Sequence, residues 1–403
     1  MRPVVVAGAG AAGLMAAIHA AAGGRHVIVV ETTADGGRKI LISGGGRCNV
    51  LPQALEPQRF VSEAPAPLVR RLLRAWPLEH QKRFFEETLR VPLKLERESR
   101  KYFPVSDRAR DVRDALAGAA RGAGVEFRFN TRITGLTQAP TGWRVETSAG
   151  AIDAVAVIMA TGGRSVPSTG SDGAGIEWLK RLGHRVVETY PALTPLTSDP
   201  PVHGLLAGVS LPVRIRARWN DEEVEATGGF LFTHRGYSGP SVLDVSHLAV
   251  RSRLAGGARA SLRVRWSDLD DAAWHAAMQG HEGLVATALA RKIPARLGEQ
   301  LMGEAGVPPD RTGAELRRSE RIALAERLTS YELPWTGDEG YRKAEVTGGG
   351  VALDEIDPRT LESRRAPGLF LCGELLDAFG PIGGHNFAWA WATGRAAGTA
   401  AVK

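Results

Sequence analysis

The chain has 403 residues, 43% of them hydrophobic, which is enough to bury a large core in two or three domains. No uninterrupted apolar run reaches the length that spans a bilayer, and the two cysteines, Cys48 and Cys372, form no C-x-x-C pair. This pattern excludes a disulfide framework, a structural zinc site and a redox-active disulfide, and it favours a reducing compartment. The net charge of +7 suits a polyanionic partner, and it equally suits an arginine-rich composition with no such partner.

The N-terminal segment has the pattern of a strand, a glycine turn and a helix. Residues 4–7 form a short β-branched apolar run, and a Gly-Ala-Gly-Ala-Ala-Gly turn leads from it into an alanine-rich helix. Gly8 closes the turn, Gly10 lets backbone N–H groups reach a pyrophosphate, and Gly13 lets the helix pack against the strand. A second apolar run ends in Glu31, which suits the hydroxyls of an adenosine ribose. The segment therefore predicts a dinucleotide site, since a secretory signal would leave the glycines and this acid unexplained.

A second glycine-rich stretch lies shortly after Glu31. Three consecutive glycines at 44–46 suit a backbone that lies against a flat ligand or adopts positive φ. Arg38 and Lys39, just before them, can face phosphates. Polar side chains flank the same glycines at Ser43, Arg47, Cys48 and Asn49. The stretch predicts a ligand-contacting loop, with a flexible glycine loop as the alternative.

Two later apolar runs also end in small or acidic residues. The run at 155–160 ends in Thr161 and Gly162, which predicts a turn at the carboxyl edge of a parallel sheet, where such folds bind ligands. The run at 369–371 leads into a segment whose candidate residues are Gly373, Glu374, Asp377, Gly383 and Gly384. The acids Glu374 and Asp377 suit hydroxyl groups of a ribityl chain or hydroxyls next to a phosphate, and a solvated turn is the alternative interpretation. Gly383 and Gly384 offer backbone N–H donors at the start of a helix.

The composition predicts three domains, one of them discontinuous. Short strands and turns begin at Pro191, and a mainly helical stretch runs from 268 to 330. Glycine-rich ligand-binding character returns near residue 344. We therefore predict a ligand-binding domain of residues 1–190 plus 341–403, a β domain of residues 191–267 plus 331–340, and a helical domain of residues 268–330.

With these motifs quoted, the chain resembles the BaiN/RdsA family of bacterial NAD(P)- and FAD-dependent oxidoreductases, also known as aminoacetone-oxidase-like flavoproteins. The matching motifs span nearly the full chain: KILISGGGRCN at 39–49, FPVSD at 103–107, TGSDG at 169–173, PALTPL at 191–196, TGGFLFTHRGYSGP at 227–240, AEVTGGGV at 344–351 and the segment 373–386. The resemblance implies an α/β fold. In it a Rossmann-like FAD-binding domain of the GR2 type is built from two chain segments, with an inserted β domain and a small helical domain.

The resemblance also implies that both segments hold FAD. The candidate cofactor-binding residues are Gly8, Gly10, Ala11, Ala12, Gly13, Glu31, Thr32, Gly37, Arg38, Lys39, Ser43, Gly45, Gly46, Arg47, Cys48, Asn49, Ile133, Ala160, Thr161, Gly162, Gly373, Glu374, Asp377, Gly383, Gly384, His385 and Asn386. His385 departs from the aromatic residue expected at its position, so a substrate known for relatives does not simply carry over.

The leading hypothesis for the reaction is a reductase in which reduced FAD gives a hydride to an electron-poor C=C bond. The resemblance offers unsaturated steroid-like acids and a uracil ring in ribosomal RNA as acceptors, and the arginine-rich stretches 251–265 and 311–327 would contact RNA. An amine oxidase that releases peroxide is the second hypothesis. A partner-binding protein that holds FAD structurally is the third.

Two residues are candidate catalytic proton donors. Cys48 is the first, because the neighbouring charge of Arg47 would lower the pKa of its thiol, although a small buried residue without chemistry is the alternative. His385 is the second, because it titrates near neutral pH. No second G-x-G-x-x-G follows Gly13, so NADPH or NADH would bind only transiently as the electron donor. We expect a cytoplasmic protein with a small-molecule or ribosomal RNA substrate and neither a metal site nor a membrane segment.

Overall fold

The computed structural model describes residues 2–279 and 281–403. It divides the chain into two compact units, of which the first comprises Met1–Tyr190 and Glu345–Lys403 and the second Pro191–Ala344. The predicted α/β fold, with a two-segment domain that receives an insertion, is confirmed. The finer division of the inserted part into a β domain and a helical domain, with the bounds given above, stays a prediction.

The secondary-structure elements are numbered in chain order. The strands are β1 (Val4–Ala7), β2 (Val27–Val30), β3 (Leu51–Pro52), β4 (Leu93–Glu96), β5 (Lys101–Pro104), β6 (Glu126–Arg128), β7 (Ile133–Ala139), β8 (Gly142–Thr147), β9 (Gly150–Ala154), β10 (Ala156–Met159), β11 (Val186–Ala192), β12 (Leu196–Thr197), β13 (Ser210–Trp219), β14 (Glu222–Thr233), β15 (Gly236–Ser238), β16 (Ser261–Arg265), β17 (Tyr331–Glu332), β18 (Gly337–Asp338), β19 (Val346–Val351) and β20 (Leu369–Leu371). The α-helices are α1 (Ala11–Ala22), α2 (Arg38–Ile42), α3 (Ala66–Arg74), α4 (Leu78–Arg83), α5 (Ala109–Gly122), α6 (Ala174–Arg181), α7 (Pro240–Ala255), α8 (Asp271–Gln279), α9 (Val285–Ala290), α10 (Ala295–Glu304), α11 (Arg318–Thr329) and α12 (His385–Ala400).

The first unit is built on a parallel sheet with strand order β20-β10-β1-β2-β6. Val4 pairs with Val27 on one side and with Ala156 on the other. The residues of β1, β2 and β10 are all buried, as expected for a parallel sheet covered on both faces. The carboxyl ends of these strands therefore meet at one edge, where the turns that follow β1, β10 and β20 lie side by side.

Helices α1 and α12 pack together through small residues. A Cβ added to Gly394 would lie 2.4 Å from the carbonyl oxygen of Ala12, and one added to Gly398 would lie 2.2 Å from that of Ala16. The two helices can therefore approach only because these positions carry no side chain. The C-terminal segment is thus bound directly to the helix that follows the first glycine turn.

The second unit contains an antiparallel sheet with strand order β17-β16-β13-β14-β15-β12-β18. Along β13 buried and exposed residues alternate, so one face of the sheet packs on the core and the other faces solvent. The short strands predicted for this part of the chain include a longer one, because β14 runs without a break over Glu222–Thr233. The glycines of β14 lie beside Pro240, where a Cβ on Gly228 would be 3.6 Å from the Pro240 Cβ.

Helix α7 was not predicted, because the stretch that contains it was interpreted as strands and turns. Most of its residues are buried, and it packs against β13 and β14. An apolar helix that is enclosed on most sides lacks the amphipathic period by which helices are recognised. Within the described ranges, no helix is long and apolar enough to cross a membrane.

Candidate functional site

The glycine turn after β1 is packed on one side and open on the other. A Cβ on Gly13 would lie 1.9 Å from the carbonyl oxygen of Gly8, and a Cβ on Gly8 would lie 2.7 Å from that of Ala160. A Cβ on Gly10, in contrast, would meet no atom within 4 Å, and Gly10 caps α1 without a side-chain hydrogen bond. The first N–H groups of α1 can therefore bind an anion at the positive end of the helix.

Glu31 lies at the end of β2 and orders the neighbouring turns. Its Oε2 accepts a hydrogen bond from the N–H of Ala9 at 2.7 Å, and its Oε1 accepts one from the N–H of Thr33 at 2.8 Å. The carboxylate keeps further acceptor sites, as the predicted ribose contact requires. The N–H of Thr131 donates to the Glu31 carbonyl at 2.9 Å, which brings Ile133 to the same end of the sheet.

The second glycine stretch forms a left-handed loop. Gly44, Gly45 and Gly46 have φ values of 57°, 67° and 85°, and added Cβ atoms on Gly45 and Gly46 would meet nothing within 4 Å. The Ser43 hydroxyl donates to a carbonyl of α2 at 2.7 Å, and Asn49 is buried next to Gly44. The loop therefore presents a bare backbone to a ligand and is fixed from behind by its polar neighbours.

Arg47 and Cys48 are not placed as the sequence suggested. Arg47 Nη1 lies 3.0 Å from Glu96 Oε1 and 3.7 Å from Asp107 Oδ1, and the guanidinium lies 4.0 Å from the ring centroid of Phe103. Cys48 has no exposed surface, and burial raises the pKa of its thiol to about 12. The expectation of a lowered thiol pKa is wrong, because desolvation outweighs a cation that already has carboxylate partners.

Lys39 belongs to a cluster that joins both segments of the first unit. Lys39 Nζ lies 2.6 Å from Glu374 Oε2 and 2.6 Å from the hydroxyl of Ser165. The Ser165 hydroxyl donates to Glu374 Oε1, which also accepts from the N–H and the hydroxyl of Thr347 at 3.0 and 2.9 Å. Glu374 therefore already has four donors within the protein. The sequence predicted Lys39 and Glu374 but missed Ser165 and Thr347, although Thr347 lies in the AEVTGGGV motif at 344–351.

The turn after β10 packs against the first glycine turn. The N–H of Ala160 donates to the carbonyl of Ala7 at 3.0 Å, which places Thr161 and Gly162 at the carboxyl edge of the sheet as predicted. Gly162 has a φ of 72°, and a Cβ there would lie 2.2 Å from the Ser171 hydroxyl oxygen. The Thr161 hydroxyl is buried and has no hydrogen-bond partner within the described part of the chain. It lies against α6, where a Cβ added to Gly175 would be 1.9 Å from the Thr161 hydroxyl oxygen, so it faces the packed side of the turn.

Two polar side chains of the C-terminal segment are engaged within the protein. Asp377 Oδ2 accepts from the N–H of Glu63 at 2.8 Å and from the hydroxyl of Ser62 at 3.2 Å, and burial raises the pKa of Asp377. The Asn386 side chain accepts from the N–H of Gly380 at 2.8 Å and donates to its carbonyl at 2.9 Å. These side chains fix loops, and any cofactor contact by them stays a prediction.

His385 begins α12, directly after two left-handed glycines. Gly383 and Gly384 have φ values of 109° and 97°, and a Cβ on Gly384 would lie 2.6 Å from the backbone of Leu51. The ring of His385 is buried, with its centroid 6.2 Å from that of Phe60. Burial lowers the pKa of His385 to about 4, so the imidazole is neutral at pH 7.

Side chains of helix α12 form hydrogen bonds to two loops of the candidate site, the one after β20 and the one that follows the glycines at 44–46. The indole of Trp389 donates to the carbonyl of Gly373 at 3.1 Å, and the hydroxyl of Thr393 accepts from the N–H of Gly373 at 3.0 Å. The indole of Trp391 donates at 3.1 Å to the carbonyl of Val50, just beyond the left-handed loop. Sequence analysis missed these three anchors, because the helical pattern alone does not reveal which carbonyls an indole reaches.

Three further residues of the candidate set, Thr32, Gly37 and Arg38, lie in the connection from β2 to α2 or at the start of α2. Thr32 is exposed, and Arg38 forms an exposed ion pair with Asp35 at 3.0 Å. Gly37 caps α2 with a φ of 63°, and a Cβ there would lie 2.5 Å from Arg113 Cγ. Among the described residues no cluster of His, Cys, Asp or Glu has the arrangement of a metal site.

Comparison with known proteins decides the family. The family model described as the HI0933-like protein Rossmann domain matches residues 2–400 of this chain. The chain belongs to the HI0933-like family. As a member, it is an FAD-dependent oxidoreductase with a Rossmann-like cofactor domain.

The chain is similar to two relatives over nearly its whole length. It is 32% identical over 401 residues to the ribosomal RNA dihydrouridine synthase of Escherichia coli (strain K12), which covers 96% of this chain and 95% of that protein. It is 31% identical over 415 residues to the 3-dehydro-bile acid delta(4,6)-reductase of Clostridium scindens, over the full length of both. Among solved structures, 3-ketosteroid-delta4-(5alpha)-dehydrogenase from Rhodococcus jostii RHA1 shares the fold, with a TM-score of 0.51, 16% identity and coverage of 99% and 96%.

The site fits FAD by its own geometry. Gly10, Gly45 and Gly46 face open space where the backbone can approach a ligand. Together with the open start of α1, these features suit a pyrophosphate and a flat ring. The individual cofactor contacts in the candidate set stay predictions.

Proposed function

We propose that this protein is a reductase that saturates an electron-poor carbon–carbon double bond. The observation that carries this proposal is the agreement between two full-length relatives of about equal identity. One is named for making dihydrouridine in ribosomal RNA, and the other is named for reducing delta(4,6) bonds of a bile acid. Their substrates differ, whereas both names describe the loss of a carbon–carbon double bond.

A uracil ring in ribosomal RNA is the substrate we favour. The relative named for ribosomal RNA is slightly more similar to this chain, and the net charge of +7 suits a polyanionic substrate. An RNA substrate also implies a cytoplasmic protein. A small unsaturated acid is the other acceptor to test, since it would need no extended basic surface.

Bound FAD would supply the hydride, and the chain would position the acceptor and exclude competing reactions. The open backbone at Gly10, Gly45 and Gly46 would hold the cofactor. Reduction of the double bond adds this hydride to one carbon and a proton to the other. NADPH or NADH provides the two electrons for each turnover.

We assign the proton to water rather than to the two side chains predicted from the sequence. A proton donor must lie within hydrogen-bond reach of the accepting carbon or of a bridging water. The thiol of Cys48 has no exposed surface, and the buried ring of His385 is neutral at pH 7. Neither group combines access with a proton that it readily gives up.

Anaerobic titration of the purified holoprotein with NADPH and then NADH tests the proposal. Loss of the oxidised-flavin absorbance, followed by its return on adding ribosomal RNA or an unsaturated acid, is the expected result. If the oxidised-flavin absorbance returns only with the unsaturated acid, the protein is a reductase but RNA is not its substrate. If neither NADPH nor NADH reduces the flavin, but a small amine reduces it and peroxide forms in air, the protein is an amine oxidase and the proposal is wrong. A flavin reduced only by dithionite would indicate a structural cofactor.

A further inference from the structure

The solvent-exposed face of the sheet in the second unit carries a cluster of arginines. Alternate residues of β13 and β16 point to this face, and their partners on the opposite face belong to the core. We call the cluster the arginine face; it consists of Arg214, Arg216, Arg218, Arg263 and Arg265. The sequence analysis had identified only the two arginines of β16, because the strand pairing that adds β13 is not visible in the chain order.

Strand register places arginines directly opposite one another. Arg214 pairs with Arg265, and Arg216 pairs with Arg263, across neighbouring antiparallel strands. Side chains in such positions have Cβ atoms about 5 Å apart, and like charges there destabilise the sheet. Two such pairs side by side concentrate positive charge on this face of the sheet.

Acidic neighbours neutralise the arginine face only in part. Arg216 lies 2.9 Å from Glu225, and Arg263 lies 3.2 Å from Glu332. Arg214 and Arg216 reach Glu225 and Glu223 at 3.6 and 3.4 Å. The side chains of Arg214, Arg216 and Arg263 nevertheless remain 53%, 56% and 62% exposed.

The positive charge that remains is available to an external anion. Arg265 donates at 2.8 Å to the backbone carbonyl of Asp268 rather than to a carboxylate. On the paired strands, five arginines of the arginine face therefore stand against three glutamates, Glu223, Glu225 and Glu332. Exposed ion pairs of this kind are weak and exchange readily for a better partner.

We propose that the arginine face binds the phosphate backbone of RNA, an inference that rests on the proposed RNA substrate. Guanidinium groups bind phosphate oxygens through two parallel hydrogen bonds, with charge assistance. Successive arginines of β13 are spaced by about 7 Å, and the adjacent strand lies about 5 Å away, so the surface offers a two-dimensional array of phosphate sites. A bound polyanion would also relieve the repulsion between the paired arginines.

The test is RNA binding by the holoprotein with the arginine face altered. The variant R214Q/R216Q/R218Q removes three cations from β13, and R70Q/R71Q/R74Q removes three exposed cations from α3 as a matched control. The probe is protein-free ribosomal RNA in a filter-binding assay over a range of salt. For the arginine-face variant we expect affinity to fall roughly tenfold or more near 0.15 M salt. We also expect the slope of log K against log salt to fall by about 2, since each phosphate contact contributes about 0.7 to 0.9.

The control variant should lose much less affinity. Equal losses in the two variants would reduce the effect to general charge and overturn the proposal, as would wild-type protein that retains no RNA. A second variant, R214Q, removes one cation of the Arg214–Arg265 pair and keeps the hydrogen bonds from Arg265 to backbone carbonyls. It should unfold at about the wild-type temperature while binding RNA more weakly. It therefore keeps the test decisive if the triple variant folds poorly.

Flavin chemistry separates this inference from the proposed function. Both arginine-face variants should keep the wild-type rate of flavin reduction by NADPH or NADH. Wild-type protein that binds RNA through the arginine face but reduces no double bond would refute the proposed reductase and leave the surface assignment standing. If wild-type protein reduces a uracil ring while the variants bind RNA as tightly as wild type, the proposed reductase stands and the assignment of the arginine face is refuted.

Discussion

Two halves of the candidate cofactor site, both in the first unit, differ in what they offer a ligand. In the N-terminal half the glycines at 10, 45 and 46 face open space with bare backbone. In the C-terminal half the polar side chains of Glu374, Asp377 and Asn386 are hydrogen-bonded within the protein. One half is therefore a backbone surface for a ligand, and the other is a frame that holds the surface in place. Residue types that look like ligand contacts in sequence can belong to the frame.

The largest expected effect concerns the packed side of the backbone surface. Replacing Gly13 by Ala would force a Cβ to within 1.9 Å of the Gly8 carbonyl oxygen, so α1 must move away from β1. We expect a loss of several kcal/mol in the free energy of unfolding, as for other overpacked cores, together with loss of bound FAD. Urea unfolding and the flavin-to-protein absorbance ratio measure the two effects.

Gly10→Ala is the matched control, because its Cβ would enter open space. It should unfold like wild type without FAD and yet bind FAD more weakly, since the added methyl group lies where a ligand approaches. Normal FAD affinity in this variant would mean that the open side of the turn is not the cofactor surface.

The second prediction concerns the pH dependence of the free energy of unfolding, which the buried ring of His385 controls in the C-terminal half. The pKa of His385 is about 4 in the folded protein and near 6.5 when unfolded, so the unfolded chain binds the extra proton first as pH falls. The stabilising effect of the neutral ring is complete above pH 6.5 and is lost between pH 6.5 and 4, by about 3 kcal/mol. His385→Phe should therefore lose about 3 kcal/mol less than wild type over that interval in urea unfolding. A pH profile for His385→Phe that is identical to that of wild type would contradict the assignment.

The third prediction tests whether Asn386 belongs to the frame. Asn386→Ala removes two hydrogen bonds to Gly380, and it should lower the unfolding free energy by about 1–3 kcal/mol even without FAD. Thermal or urea unfolding of the cofactor-free protein measures this loss. If cofactor-free stability is unchanged while FAD affinity falls, Asn386 contacts the cofactor and the comparison between the two halves fails at this residue.

The smallest expected effect concerns Cys48. Because its thiol is buried and its pKa is about 12, Cys48→Ala should leave the rate of flavin reoxidation by the acceptor unchanged. Its stability should fall by about 1 kcal/mol, as expected for the loss of a small buried group. Stopped-flow absorbance of the reoxidation step provides the measurement. A markedly slower step, with normal FAD content, would restore Cys48 as the proton donor.

The sequence by itself determined the buried strands β1, β2, β10 and β20, the glycine turns and the α/β class of the fold. These features follow from local rules, since a β-branched run predicts a buried strand and only glycine tolerates the left-handed turns at Gly44 to Gly46. The approach of Gly13 to Gly8 was likewise predictable, because both residues lie in one strand–turn–helix unit.

Only the tertiary structure decided which polar groups remain available. Glu374 meets Lys39, Ser165 and Thr347 from three distant stretches of the chain, and no local pattern reveals such partners. Burial likewise decided the chemistry of Cys48, because desolvation depends on every element packed around a group rather than on its neighbour in sequence. Pairing between β13 and β16 assembled the arginine face for the same reason, since strand register is set by the fold of the whole sheet.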